Sequence, residues 1–321
     1  MTKSTHDEVE LDLVIAEIDE PADGVRSLVL RDPAGDPLPA WRPGAHIDID
    51  LDDGLTRQYS LCGDPADTDS WRIAFLREVE GRGGSQYVHD KLGVGDRVHA
   101  RGPRNHFPLE ASPRYVFVAG GIGITPLLPM IAAADSAGAD WVLHYGGRTR
   151  ASISFAAELT EQYGDKVVVH PQDEQGLLDL DALIGTPQAH TLVYCCGPEP
   201  LLQAVEVRCA TWPAGALHLE RFSPKEQAPP TGAESFEVEL ADSGMTVTVP
   251  GDKSILAAVE EAGINVLSSC QEGTCGTCET GVLEGEVDHR DSLLTDAEQE
   301  ANDVMFTCVS RARCPKLLLE L

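Results

Sequence analysis

Long apolar runs are absent from this 321-residue sequence. No stretch of about 18 consecutive apolar residues occurs, so we expect no helical membrane span. The first eight residues are polar apart from Met1, which predicts no secretory signal. Nine cysteines, an odd number, then favour a reducing compartment, where thiols bind metal or pack in cores instead of pairing as disulfides. We therefore expect a cytoplasmic protein.

Positive charge is also scarce. The chain has 24 Lys and Arg residues against 53 Asp and Glu residues, a formal net charge of -29. Such a surface repels the phosphates of nucleic acids and of anionic membranes, so we expect neither as a partner. A basic docking face on another protein would suit it. The same excess of acid favours solubility.

The pattern of short elements predicts three domains. Residues 1–110 carry β-rich runs broken by glycine and proline, which is typical of a small antiparallel β-barrel. Residues 111–224 alternate strands and helices, which predicts a parallel α/β sheet with helices on both faces. Residues 225–233 have the proline-rich composition of a linker, and residues 234–321 predict a compact α+β module.

Three cysteines of the last domain show the most specific spacing in the chain. Cys270, Cys275 and Cys278 have the C-x4-C-x2-C pattern, and Cys308 follows in what reads as a buried strand. This is the plant-type ligand spacing for a 2Fe-2S cluster, and small residues between the thiols would let backbone N–H groups point at the sulfurs. Structural zinc sites usually combine two pairs of closely spaced cysteines, but here three cysteines cluster and the fourth is distant. Cys314 is a less fitting alternative to Cys308.

In the first domain, strands are predicted at 11–18, 25–30, 46–51, 57–62, 71–76 and 97–101. On the fourth of these, Arg57 and Tyr59 share a face, because side chains alternate along a strand. The arginine fork can hold a phosphate, the ring can pack on a flat cofactor, and Ser60 can reach a ring nitrogen. A glycine turn at 81–84 then precedes a helical run, with Ser85 as the expected N-cap, and helix N-termini attract phosphate.

A second phosphate cradle is predicted in the middle domain. A buried strand at 114–119 leads into Gly120, Gly121 and Gly123, with Thr125 as expected N-cap and Pro126 as first residue of a helix to 137. This is not the G-x-G-x-x-G fingerprint. Strands are then predicted at 141–145, 166–170 and 191–195, and helices at 154–163, 180–184 and 198–211. Ligands bind at the carboxyl ends of such strands, where Arg148 and the Cys196, Gly197, Pro198 turn lie.

In this order the motifs resemble those of phthalate dioxygenase reductase-like proteins, over nearly the whole chain. The resemblance implies an FMN-binding barrel, an NADH-binding domain and a ferredoxin (β-grasp) domain that feed Rieske-type oxygenases or, in some relatives, cytochromes P450. It implies that Arg57 and Ser85 bind the FMN phosphate, with Gly83 and Gly84 in the same turn. The other implied contacts are Tyr59 and Ser60 along the isoalloxazine, Gly121 and Thr125 at the dinucleotide, Cys196 near the nicotinamide, Phe222 near the flavin, and Cys270, Cys275, Cys278 and Cys308 on the cluster.

The implied chemistry explains why three cofactors belong together. A nicotinamide gives up two electrons at once, an iron-sulfur cluster accepts one, and a flavin can divide the pair. We find no Rieske C-x-H pair or haem-ligating motif, so we expect a separate oxygenase partner, docking transiently. Arg148 and Arg150 flank Thr149, at a position where NADH-preferring relatives often have an acidic residue. Two arginines can accept a 2'-phosphate, so NADPH remains an alternative to NADH as the electron donor. A reductase for a P450, a redox sensor and a zinc-stabilised nucleotide-binding protein are the alternatives.

Overall fold

A computed structural model describes residues 9–51, 55–78, 83–225 and 235–321. The chain divides into two compact units, residues 1–220 and residues 221–321. The linker predicted at 225–233 lies outside the described residues except for Lys225. The predicted boundary near residue 110 stays a prediction. No helix among the described residues has both the length and the apolar character needed to cross a membrane.

The first sheet of the first unit has six antiparallel strands in the order β4-β3-β6-β1-β2-β5. All six predicted strands are present, and a short helix follows the fifth. The bounds are β1 Val9–Ala22, β2 Val25–Arg31, β3 His46–Leu51, β4 Leu55–Ser60, β5 Trp71–Leu76, α1 Gly84–Lys91 and β6 Arg97–Arg104. Just beyond β4, the N–H of Cys62 donates to the Arg72 carbonyl of β5 at 2.8 Å, which joins the two outermost strands of the sheet.

The second sheet has five parallel strands in the order β11-β10-β7-β8-β9, as expected for a region that alternates strands and helices. Its elements are β7 Arg114–Gly120, α2 Leu127–Ser136, β8 Asp140–Gly147, α3 Ala156–Tyr163, β9 Val167–Pro171, α4 Gln172–Gln175, α5 Leu180–Ile184, β10 Thr191–Cys196, α6 Glu199–Cys209 and β11 Leu217–Glu220. Short 3-10 helices lie at Gly121–Ile124, Arg150–Ser152 and Gly164–Lys166.

The two sheets share one hydrophobic core. Phe107, which follows the first sheet, packs in the same buried cluster as Phe117 of β7 and Tyr194 of β10. The Tyr194 hydroxyl donates to the Pro108 carbonyl at 3.0 Å and accepts from the Glu110 N–H at 2.8 Å, so the segment between the sheets is tied to the parallel sheet. Because of this shared core, the strand ends of both sheets hold fixed positions within the first unit.

The second unit contains a five-stranded mixed sheet in the order β13-β12-β18-β14-β16 and a separate two-stranded sheet of β15 and β17. Its elements are β12 Phe236–Leu240, β13 Thr246–Val249, α7 Ile255–Glu261, β14 Glu279–Glu284, β15 Val287–Asp288, α8 Asp296–Ala301, β16 Val304–Phe306, β17 Arg311–Ala312 and β18 Lys316–Leu319. The predicted strand around Cys308 is wrong beyond Phe306, because the chain turns there: the N–H groups of Val309 and Ser310 both donate back to the Phe306 carbonyl.

Candidate functional site

Strand β4 presents the three residues expected to hold a flavin. The antiparallel pairing with β3 places Arg57 opposite Ile49, Tyr59 opposite Ile47 and Ser60 opposite His46. The Tyr59 ring lies 4.1 Å, centre to centre, from the Phe75 ring, and burial raises the pKa of its hydroxyl. Tyr59 therefore remains neutral and stays packed on the strand.

Helix α1 begins beside Arg57. A Cβ added to Gly84 would lie 3.0 Å from Cγ of Arg57 and 3.1 Å from Cδ1 of Leu51, so a larger residue here would require these side chains to shift. The structure thus brings an arginine and a helix N-terminus together, and both attract phosphate. The residues present fit the phosphate end of a flavin nucleotide.

The predicted N-cap of this helix is wrong. Gly83, in a left-handed conformation, is the N-cap residue, and Ser85 lies inside the first turn. The Ser85 hydroxyl accepts from the N–H of Glu78 at 3.0 Å, so it anchors the segment that precedes the turn. Gly81 of the predicted turn lies outside the described residues. The proposed phosphate contact of Ser85 stays a prediction.

The glycine-rich turn after β7 packs backbone to backbone against the turn after β10. The two strands are parallel neighbours, with Ala119 opposite Cys196. A Cβ on Gly123 would overlap the Cys196 carbonyl, and one on Gly120 would lie 2.7 Å from both Pro198 and Leu201 side-chain atoms. The glycines are therefore required for two strand ends to meet, and they form the floor of the expected nucleotide crevice.

A buried hydroxyl positions this turn. The Tyr145 hydroxyl, from the neighbouring strand β8, donates to the Gly121 carbonyl at 2.9 Å and lies 3.2 Å from the Ser154 hydroxyl. The predicted cap at Thr125 is wrong: its hydroxyl donates back to the Ile122 carbonyl at 3.0 Å, and Pro126 is the N-cap of α2. Sequence reasoning missed Tyr145, because its partner lies 24 residues earlier, in the turn that follows another strand.

Cys196 is fully buried at the end of β10. Burial raises the pKa of its thiol well above the ordinary value, and the neighbouring Glu220 carboxylate raises it further. The thiol therefore stays protonated and is no nucleophile. Its expected place near a nicotinamide stays a prediction.

Glu220 is the main site residue that sequence reasoning missed. It ends β11 opposite Cys196, and the Ser60 hydroxyl donates to its Oε2 at 3.4 Å. Burial raises the pKa of Glu220 to about 8, and the hydrogen bond from Ser60 opposes the rise. A carboxyl that holds a proton at neutral pH thus links the flavin strand β4 to the end of the parallel sheet.

Two further predicted site residues are exposed. Arg148 directly follows β8 and is exposed. Phe222 belongs to the second unit and is 45% exposed. The roles given to both stay predictions.

Four of the five cysteines of the second unit lie as two pairs. Hydrogen bonding with Cys275 lowers the pKa of Cys270 to about 5, while the same contact raises the pKa of Cys275. Hydrogen bonding with Cys308 likewise lowers the pKa of Cys278 and raises that of Cys308. Each pair therefore yields a thiolate readily, which is the form that binds metal.

Backbone donors surround these sulfurs. The N–H of Glu272 donates to Cys270 Sγ at 3.3 Å, and the N–H groups of Thr274 and Gly273 donate to Cys270 and Cys308. Across the described ranges, no three His, Cys, Asp or Glu side chains converge where a single ion could bind. Two thiol pairs with amide donors fit two irons bridged by sulfide, with two thiolates on each iron, better than one zinc.

Comparison with known proteins agrees with this geometry. The family of 2Fe-2S iron-sulfur cluster binding domains matches residues 238–313, and that of oxidoreductase NAD-binding domains matches residues 117–207. The phenoxybenzoate dioxygenase subunit beta of Ectopseudomonas oleovorans is 43% identical over 302 residues, 94% of each chain. The solved phthalate dioxygenase reductase is 36% identical with a TM-score of 0.71, over 97% of this chain and 98% of that one.

A third similarity is to part of a larger enzyme. An intact type IV self-sufficient cytochrome P450 monooxygenase is 45% identical with a TM-score of 0.92, over 98% of this chain. The chain spans 41% of the length of that monooxygenase.

Fold and site together define a multidomain oxidoreductase with an NAD-binding domain and a 2Fe-2S domain. The chain belongs to the phthalate dioxygenase reductase-like family, the reductase components of oxygenase systems. The resemblance inferred from the motifs is confirmed.

Proposed function

We propose that this chain takes electrons from NADH, passes them through FMN to a 2Fe-2S cluster, and delivers them to a separate Rieske-type oxygenase. The observation that carries the proposal is that one chain contains a nucleotide crevice and two pairs of thiols that accept hydrogen bonds from backbone N–H groups. When bound, NADH supplies a hydride, FMN accepts two electrons and releases them singly, and the cluster carries one.

In this proposal the residues of the first unit bind and orient. Arg57 and the N-terminus of α1 hold the FMN phosphate, while Tyr59 and Ser60 line the flavin ring. The turn of Gly120, Gly121 and Gly123, with Thr125, Gly197 and Pro198, holds the dinucleotide. Glu220 holds a proton on its carboxyl beside Ser60 at neutral pH, so no full negative charge faces the strand that lines the flavin.

In the second unit, Cys270 and Cys275 would hold one iron, and Cys278 and Cys308 the other. Cys314 is not part of either pair: its Sγ contacts the backbone of Glu286 and Lys316. The oxygenase would dock transiently on the cluster side of this unit. The seven Lys and Arg residues of this unit cannot offset its nineteen Asp and Glu residues, so a basic partner surface fits.

A cytochrome P450 is the second candidate acceptor, because the 45% identical monooxygenase is a P450. The 43% identical relative is a dioxygenase subunit, which favours the Rieske type. The two are separated by mixing the holoprotein and NADH, without oxygen, with a purified Rieske oxygenase and with a purified P450 haem domain. We expect the Rieske absorbance to bleach faster than the haem is reduced. Reduction of the haem alone would identify a P450 as the electron acceptor.

A further inference from the structure

We propose that Glu174 sets the nucleotide preference of this chain, because it holds the Arg150 guanidinium that would otherwise bind the 2'-phosphate of NADPH. The inference rests on the proposed function, in which a nicotinamide dinucleotide is the electron donor. It names the residue that makes NADH the preferred donor.

Arg148 and Arg150 follow the end of β8, and β8 lies beside β7, whose end carries the glycine-rich turn. In open α/β sheets the adenosine ribose is read at the end of the strand next to the phosphate-binding turn, and an arginine there accommodates a 2'-phosphate. Two arginines would by themselves predict a site for NADPH.

Arg150, however, is already engaged. Its Nε and Nη2 donate to the two carboxylate oxygens of Glu174, at 3.1 Å and 2.7 Å. This parallel, two-bond arrangement is the strongest that an arginine makes with a carboxylate, and it uses the same fork that would grip a phosphate. A 2'-phosphate would have to displace Glu174, whereas the 2'-hydroxyl of NADH would not.

Both partners of this pair are held in place by backbone contacts. The N–H of Asp173 donates to the Arg148 carbonyl at 3.1 Å, which ties α4 to the arginine loop. Within the loop, the Thr149 N–H donates to the Ser152 hydroxyl at 3.1 Å, and that hydroxyl donates to the Thr149 carbonyl at 2.9 Å. Glu174 therefore faces Arg150 because of the fold and not through a chance meeting of two long side chains.

Local charge acts in the same direction. Asp173 adjoins Glu174, and its charge also acts on Arg150. A dianionic 2'-phosphate would meet two carboxylates here, while a ribose hydroxyl carries no charge. Arg148 makes no side-chain hydrogen bond or ion pair with any described residue, so it is free to contact the part that NADH and NADPH share.

The pair is open to mutation without loss of the fold. The side chains of Arg150 and Glu174 are 61% and 45% exposed, and exposed ion pairs contribute little to folding stability. Glu174→Gln keeps the size of the side chain and removes its charge. Glu161→Gln, an exposed carboxyl on α3, is the control for the change in net charge.

The test measures steady-state reduction of ferricyanide by the holoprotein with NADH and with NADPH. We expect Glu174→Gln to raise kcat/KM for NADPH about two- to fivefold, the range for an exposed charged contact, with little change for NADH. The double variant Arg150→Gln/Glu174→Gln should lose this gain. The proposal would be overturned if kcat/KM for NADPH did not change in Glu174→Gln, rose equally in Glu161→Gln, or stayed raised in the double variant.

A binding measurement separates this proposal from the function on which it rests. Calorimetric titration with 5'-AMP and with adenosine 2',5'-bisphosphate needs no electron transfer. We expect the wild type to prefer 5'-AMP and Glu174→Gln to gain affinity for the bisphosphate alone. If neither probe binds and neither nucleotide reduces the protein, the nucleotide site itself is refuted; if both bind equally in all variants, only the role of Glu174 is.

Discussion

The carboxyl of Glu220 should make the stability of the first unit fall as pH rises. Burial raises its pKa from 4.5 to about 8, so between these values the folded protein keeps a proton that the unfolded chain has lost. Linkage then requires stability to decrease with pH across this window and to level off above the folded pKa. Glu220→Gln has the same shape and no proton to lose, so it should lack this slope.

The size of the effect follows from the two pKa values. At about 1.36 kcal/mol per pKa unit, the titration of Glu220 lowers the free energy of unfolding by up to about 2.7 kcal/mol between pH 6 and pH 9. The side chain is only partly buried, so solvent screening should reduce the value to between about 1 and 2.7 kcal/mol.

Tryptophan fluorescence provides the assay, because all four tryptophans (Trp41, Trp71, Trp141 and Trp212) lie in residues 1–220. The free energies of unfolding of wild type and Glu220→Gln are measured in urea with excess FMN. Between pH 6 and pH 9, the value for wild type should fall relative to the value for Glu220→Gln. Glu161→Gln is the control for a lost carboxylate. A difference between wild type and Glu220→Gln that stays constant with pH would refute the reasoning.

Three further variants test other parts of the site. Tyr145→Phe removes the hydroxyl that donates to the Gly121 carbonyl and should raise the KM for NADH several-fold with kcat retained, because the turn binds but does not react; a fall in kcat alone would contradict this in steady-state assays. Gly84→Ala places a Cβ 3.0 Å from the Arg57 side chain and should weaken FMN binding about tenfold in a fluorescence titration, whereas unchanged affinity would place the phosphate elsewhere. Cys308→Ser should lower iron and sulfide content while flavin is retained, and Cys314→Ser should keep both, so equal iron content in the two would exclude Cys308 as a ligand.

The sequence predicted the elements better than the contacts between them. Periodicity predicted the strands of the first two sheets except β11. The C-x4-C-x2-C spacing places Cys270 and Cys275 in one short loop, whereas the pairing of Cys278 with Cys308 spans 30 residues and depends on the fold. The caps at Ser85 and Thr125 were wrong: both hydroxyls make other bonds, to the Glu78 N–H and the Ile122 carbonyl. The strand predicted through Cys308 ends at Phe306, because the apolar run continues into a turn.

Long-range pairs could not be predicted at all. Ser60 and Glu220 are 160 residues apart, and Arg150 and Glu174 are 24 residues apart, in the short helices that follow β8 and β9. Nothing in the local pattern marks either glutamate, because an acid at the end of a strand is most often a solvated residue. The raised pKa of Glu220 arises only because the two sheets pack into one unit. Glu174 meets Arg150 only because β8 and β9 are adjacent.

In the proposed function, electrons flow from NADH through flavin to the iron-sulfur cluster. Anaerobic stopped-flow mixing of the holoprotein with NADH, with flavin and cluster absorbance followed separately, tests it most directly. We expect flavin absorbance to bleach first and cluster absorbance to follow, and we expect Cys308→Ser to retain the first phase and lose the second. Bleaching of the cluster without prior reduction of flavin, or no reduction by either nucleotide, would contradict it.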